Sequence, residues 1–145
     1  MIKELQSELE ADEGCKYQIY LDHLGYPTAG IGHLITEKDD EFGAPVDTPI
    51  SRKRIDEWFK QDIGYCLDDC RVIFADWDEL PQEVQKITAN MAFNLGRVRL
   101  SKCSKFIAAV NAGEWLTAAS EMNDSQWRRQ VPNRAQRLIK RMRSA

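Results

Sequence analysis

Hydrophobic positions along the chain change period twice. Ile2, Leu5 and Leu9 fall on one stripe at helical spacing, and Gly14 follows as a residue suited to a left-handed stop, so residues 2–13 are predicted to form a short helix. From Lys16 the period becomes two, with Tyr17, Ile19 and Leu21 alternating with Gln18, Tyr20 and Asp22. Turn residues His23-Leu24-Gly25 and the glycine-spaced run Thr28-Ala29-Gly30-Ile31-Gly32 come next, which is the pattern of a β-hairpin. Residues 37–49 are polar and carry Gly43, Pro45 and Pro49, so they read as loop.

After Ser51 the helical period returns. Ile55, Phe59, Ile63, Cys66 and Cys70 define one long amphipathic helix. Pro81 suits the first turn of another, continued by Val84, Ile87, Met91 and Leu95 and ended at Gly96. Shorter helices are predicted around residues 106–110, 115–122 and 135–142. The expected fold class is α+β, a single domain over residues 1–145. A hairpin lobe spans about residues 14–50, and residues 1–13 and 51–145 form the helical lobe, with a cleft between them.

Charge refines this picture. The net charge is −3, but residues 1–80 hold 8 basic and 19 acidic side chains, a net of −11, whereas residues 81–145 hold 12 and 4, a net of +8. A basic half suits a polyanion and an acidic half suits carboxylate chemistry. Nucleic acid would leave the acidic half without a role, so none is expected; anionic bacterial cell wall accounts for both. No run approaches the roughly 18 apolar residues that span a bilayer, and no membrane anchor or signal peptide is read. Four cysteines without a secretion signal are expected to be free and mostly buried thiols. Cys66 and Cys70 lie one turn apart, yet His23 and His33 are remote in sequence, so no metal site is expected.

Two carboxyls in unlike settings can divide acid from base. Glu13 ends the first helix, where the negative end of the dipole favours a protonated carboxyl, the bias wanted in a proton donor. Asp22 sits where the first strand meets its turn, a wetter place suited to an ionised base. Such pairs are common among 23 acidic residues, and a structural role for each is the ordinary alternative.

The longer string changes the odds. Asp12-Glu13-Gly14, Ile19-Tyr20-Leu21-Asp22 and the run from Gly25 to Leu34 closely resemble the active-site region of T-even-phage-type lysozymes, glycoside hydrolase family 24. Asn90-Met91-Ala92-Phe93-Asn94-Leu95-Gly96, Trp115, and Trp127 followed by Pro132-Asn133-Arg134-Ala135 resemble the family's helical lobe. The resemblance implies a lysozyme-like fold and inverting hydrolysis of the bond between N-acetylmuramic acid and N-acetylglucosamine in peptidoglycan. By the same resemblance Glu13 is the proton donor, Asp22 activates a water, Thr28 holds that water, and Arg134 supports Glu13. Leu34 and Phe93 correspond to residues that touch sugar, and two further contact positions become Phe106 and Glu121. His33 is expected to be structural, paired with Asp62. The resemblance implies no cofactor, a monomer, residence in the host cytoplasm, and release to the wall by a separate membrane-permeabilising protein. A lytic transglycosylase and a non-catalytic wall-binding or regulatory helical protein are the alternatives; the first has no need of Asp22 and Thr28, and the second none of all three residues.

Overall fold

A computed structural model describes residues 1–145. In chain order the elements are α1 (Ile2–Glu13), β1 (Lys16–Leu21), β2 (Pro27–Gly30), β3 (His33–Leu34), α2 (Arg52–Ile73), a 3₁₀ turn (Trp77–Glu79), α3 (Gln82–Ser101), α4 (Ser104–Asn111), α5 (Trp115–Asn123), α6 (Gln126–Gln130) and α7 (Pro132–Arg143). The fold is α+β, with seven helices and one small antiparallel sheet. Two compact units emerge, residues 2–64 and residues 65–145 with Met1. The boundary falls inside α2, so α1 and the start of α2 group with the sheet; the sequence pattern alone places the break near residue 50. Polar bonds account for the difference. The Arg52 guanidinium at the head of α2 donates to both Glu10 carboxylate oxygens on α1 and to the Tyr17 hydroxyl on β1.

In residues 2–64, α1 buries Leu5 and Leu9 completely. It stops at Gly14, whose φ of +79° is in the left-handed region and whose N–H donates to the Glu10 carbonyl. β1 and β2 pair antiparallel, with Tyr20 opposite Thr28 and Leu21 opposite Pro27; the Asp22 N–H extends the ladder to the Tyr26 carbonyl. β3 adds a third strand, pairing Leu34 with Thr28 and His33 with Ala29. Two residues are too few to leave an alternating pattern, so the sequence shows only the hairpin. The other edge of β1 is covered by the end of the polar loop, through Ile19 N–H to Thr48 carbonyl and Ile50 N–H to Tyr17 carbonyl. Of the three alternating apolar residues on β1, Ile19 alone is buried, while Tyr17 and Leu21 are half-exposed. A register irregularity between Lys16 and Tyr20 breaks the simple two-residue repeat.

His33 is the polar centre of this unit. Its Nδ1 lies 2.7 Å from Asp62 and its Nε2 2.9 Å from Asp39, and its ring stacks on Trp58 at 4.3 Å. Arg54 covers the Trp58 ring at 4.8 Å, and the Trp58 indole donates to Asp39. The expected His33–Asp62 pair is present; Asp39 is a second partner that its place in an irregular loop concealed.

Residues 65–145 are helical and apolar inside. α3 follows Pro81 as expected and breaks at Gly96 (φ 80°, ψ 163°), then continues to Ser101. α5 packs chiefly on α7 and α4, with Ala118, Ala119 and Met122 buried on α5 and Ala135, Leu138, Ile139 and Met142 on α7. Pro132 opens α7, where its missing N–H costs nothing. All four cysteines are free thiols; Cys66 and Cys70 are buried, and Cys15 and Cys103 are partly exposed. The Cys66 thiol donates to the Ala89 carbonyl, and the neighbouring Cys70 thiol, together with burial, pushes Cys66 far above the ordinary thiol range.

Candidate functional site

The turn between β1 and β2 orients one carboxylate and one hydroxyl through a single residue. Asp22 Oδ1 accepts from the backbone N–H groups of Leu24 and Tyr26, both at 2.9 Å. This side-chain-to-backbone arrangement is typical of aspartate at a turn, and it fixes the carboxylate's direction. Neither bond uses Oδ2. Thr28, 5% exposed, donates its hydroxyl to the Tyr26 carbonyl at 3.0 Å. With its proton committed to that carbonyl, Thr28 Oγ1 presents acceptor lone pairs only. Asp22 and Thr28 are thus anchored to the N–H and the carbonyl of the same tyrosine. Since Asp22 pairs with Tyr26 and Tyr20 with Thr28, the four residues share one face of the hairpin, and Asp22 and Thr28 occupy one diagonal.

Glu13 comes from a different element, the last residue of α1, and is half-buried. Its position is fixed at Gly32, in the turn from β2 to β3. A Cβ at Gly32 would stand 3.3 Å from Glu13 Oε2 and 3.7 Å from Glu13 Cδ. Gly32 also has φ of +63°, so both its backbone and the approach of the carboxyl call for glycine. Gly30 plays a parallel part, with a Cβ there meeting the Ile55 side chain at 3.3 Å. The two glycines therefore mark close packing, as the spacing without a following helix suggests.

Tyr20 belongs to the same group of side chains. Half-buried on β1, its phenol is held above the ordinary tyrosine range first by burial and then by the negative charges of Glu13 and Asp22. The structure thus sets Tyr20, Asp22 and Thr28 on one hairpin face and Glu13 against the turn that follows β2, all within residues 2–64. Tyr20 was not singled out by the sequence, although its place two residues before Asp22 on a strand is the signal that would have found it.

Leu34 lies on β3 directly opposite Thr28 and is 47% exposed, an apolar surface beside the threonine. Phe93 and Arg134 lie in residues 65–145. Phe93 is half-buried on α3. Arg134 is buried on α7, where its Nε donates to the Asn90 side-chain oxygen at 2.8 Å. Trp127 donates its indole N–H to the Asn94 side chain. A cavity of about 430 Å³ in this unit is floored by Met91, Phe106 and Trp127 and edged by Lys102, Lys105 and Glu121. Phe106 and Glu121 thus line one cavity. No group of three or more His, Cys, Asp or Glu side chains is arranged to hold a metal.

The family model described as phage lysozyme matches residues 10–145. A probable T4-type lysozyme 2 of Dictyostelium discoideum is 29% identical, covering 96% of this chain and 93% of its own length. The pre-baseplate central spike protein Gp5 of Enterobacteria phage T4 is 28% identical over 90% of this chain, which matches 26% of that longer protein. The peptidoglycan hydrolase gp36 of Pseudomonas phage phiKMV is 27% identical over 94% of this chain and 15% of its own. Matched by the family model over residues 10–145, this protein belongs to the phage lysozyme family and is a glycoside hydrolase.

Proposed function

We propose that the protein hydrolyses the β-1,4 bond between N-acetylmuramic acid and N-acetylglucosamine in peptidoglycan, with inversion at the anomeric carbon. The observation that carries this reading is the common anchoring of Asp22 and Thr28 on Tyr26. A water lying on that diagonal donates one hydrogen bond to Asp22 Oδ2 and the other to Thr28 Oγ1, which can only accept. A lone pair is then left to attack. Glu13 protonates the glycosidic oxygen as it departs, the water adds to C1 from the opposite face, and Asp22 takes the water's proton. Inversion needs room for that water, with carboxyls about 6.5–9.5 Å apart. Leu34, exposed beside Thr28, offers the sugar ring an apolar contact.

The net +8 of residues 81–145 suits docking on anionic wall polymer. No helix is long and apolar enough to cross a membrane. We place the chain, as a monomer, in the host cytoplasm until a separate membrane-permeabilising protein admits it to the wall, where it brings about host lysis.

Mass spectrometry of digested peptidoglycan tests the reaction. Reducing muramic acid ends are the expected product; anhydro ends would replace hydrolysis by the transglycosylase reaction. Proton NMR of the first product, taken before mutarotation, should show the α anomer. Thr28→Val keeps the side chain's shape and removes the acceptor, so hydrolysis should fall about tenfold or more while the fold is retained.

A further inference from the structure

The positive charge of residues 81–145 is concentrated at their end. The four acids of that stretch, Glu83, Glu114, Glu121 and Asp124, all precede Ser125, and residues 125–145 hold seven basic side chains and no acidic one. Two of the seven serve the fold. Arg134 is buried against Asn90, and Arg141 donates to Glu83 on α3. On α7 the residues turned inward are Arg134, Ala135, Leu138, Ile139 and Met142, so the opposite face presents Asn133, Gln136, Arg137, Lys140 and Arg143, all exposed. That face runs about 15 Å along the helix and consists of cations and amides. Arg129 on α6, also exposed, lies just ahead of it in the chain.

The packing around α7 leaves this charge uncompensated. The helices packed on it, α3, α5 and α6, contribute two acids between them. Glu83 is held by Arg141 and Lys86, and Glu121 edges the cavity beside Lys102 and Lys105. No carboxylate pairs with Arg129, Lys140 or Arg143, and Arg128 Nε is buried without a hydrogen-bond partner. The helix dipole favours cations in the last turn, which accounts for Lys140 and Arg143. It does not account for Arg137 in mid-helix or for Arg129 ahead of the positive end. Like charges one turn apart, such as Arg137 with Lys140, weaken the helix rather than support it.

We propose that this face of α7, together with Arg129, is a docking surface for the carboxylates of the peptide stems of peptidoglycan, and that it holds the enzyme on the wall between cleavages. This rests on peptidoglycan being the substrate and names the surface and the groups through which the wall is held. A polymer that repeats its charge on flexible stems suits several exposed, separately weak ion pairs. Nucleic acid and anionic lipid share the sign of charge, but the face offers no aromatic side chain to stack on a base and no apolar one to enter a bilayer.

The test is sedimentation of the full chain with purified insoluble peptidoglycan across a salt series, in a Glu13→Gln background that leaves the wall intact. Lys140→Gln combined with Arg143→Gln should weaken binding about fivefold at low salt, with the difference vanishing at high salt. Wall whose carboxyls have been capped as amides should bind this variant and its parent alike. Lys3→Gln combined with Lys60→Gln removes the same charge from exposed positions in residues 2–64 and should leave binding within about twofold. Equal binding of parent and α7 variant to intact wall, an equal loss in the Lys3 and Lys60 control, or a difference that survives capping overturns the proposal. So does α7-dependent binding to phosphatidylglycerol vesicles or duplex DNA in place of the wall. Release of reducing ends by the Glu13→Gln chain, measured in parallel, separates the two readings. Full release would overturn the hydrolytic reading on which docking rests, whereas an inactive chain whose α7 variant binds equally well would overturn docking alone.

Discussion

Residues 2–64 carry 14 acidic side chains and 7 basic ones, whereas residues 65–145 carry 9 acidic and 13 basic. The structure spends these charges differently. In the first region, arginines and a histidine each bind several carboxylates: Arg52 holds Glu10 and Asp56, Arg54 holds Glu41 and Glu57, and His33 holds Asp39 and Asp62. Glycines with positive φ let backbone and side chains approach closely. In the second region Arg71 also bridges two carboxylates, Asp68 and Asp78, but at the surface, and the interior rests on buried Leu, Ile, Met and Ala from several helices. A polar framework fixes the direction of a carboxylate, because hydrogen bonds have preferred geometry and apolar contacts do not. The candidate chemistry of Glu13, Asp22 and Thr28 accordingly lies in the region with the smaller apolar core.

Substitutions in the two regions should therefore separate activity from stability. Glu13→Gln, in the first, is expected to slow clearing of permeabilised Gram-negative cells by about a hundredfold or more, with melting temperature nearly unchanged. Leu138→Ala, in the second, removes a completely buried side chain. It should cost about 2–5 kcal/mol of stability in denaturant titration while activity per folded molecule holds. If Leu138→Ala were instead the more damaging to chemistry, the contrast between the regions would fail.

Gly32→Ala is a smaller perturbation that affects both properties in the first region. The new methyl meets the Glu13 carboxyl and sits at a φ unfavourable to alanine. The strain should cost about 1–2 kcal/mol. Because small misplacements of catalytic groups are expensive, activity should drop by about tenfold or more. Equal activity with reduced stability would show that Gly32 serves the turn alone.

The smallest effect is a pH dependence. Burial disfavours the charged imidazole of His33, but its hydrogen bonds to Asp62 and Asp39 outweigh that and raise its pKa above the ordinary 6.5. Between the unfolded and the raised folded pKa the folded chain binds more protons, so stability falls as pH rises. The contribution is complete below about pH 6.5 and is lost as pH climbs through the raised value. Thermal unfolding measured from pH 5 to pH 9 should show this decline in the unaltered chain and a flatter curve in His33→Asn. A steeper decline in the variant would reverse the assignment.

Much was legible from the sequence because it depends on local periodicity. α1 ends at Gly14 and the long helix begins just after Ser51 because apolar spacing and left-handed glycine are properties of neighbouring residues. The spacing of Glu13, Asp22 and Thr28 within a helix–hairpin string also identified the candidate site and the family. The tertiary structure decided the contacts between residues distant along the chain. Thr28 and Asp22 are joined through the backbone of Tyr26, which no side-chain pattern records. Tyr20 reads as an ordinary strand residue until the pairing of β1 with β2 sets it opposite Thr28 on the face that carries Asp22. Asp39 reaches His33 from an irregular loop, and the start of α2 joins the sheet through Arg52. Periodicity fixes which residues share a face, whereas the direction of each carboxylate follows from hydrogen bonds made only once the chain has closed on itself.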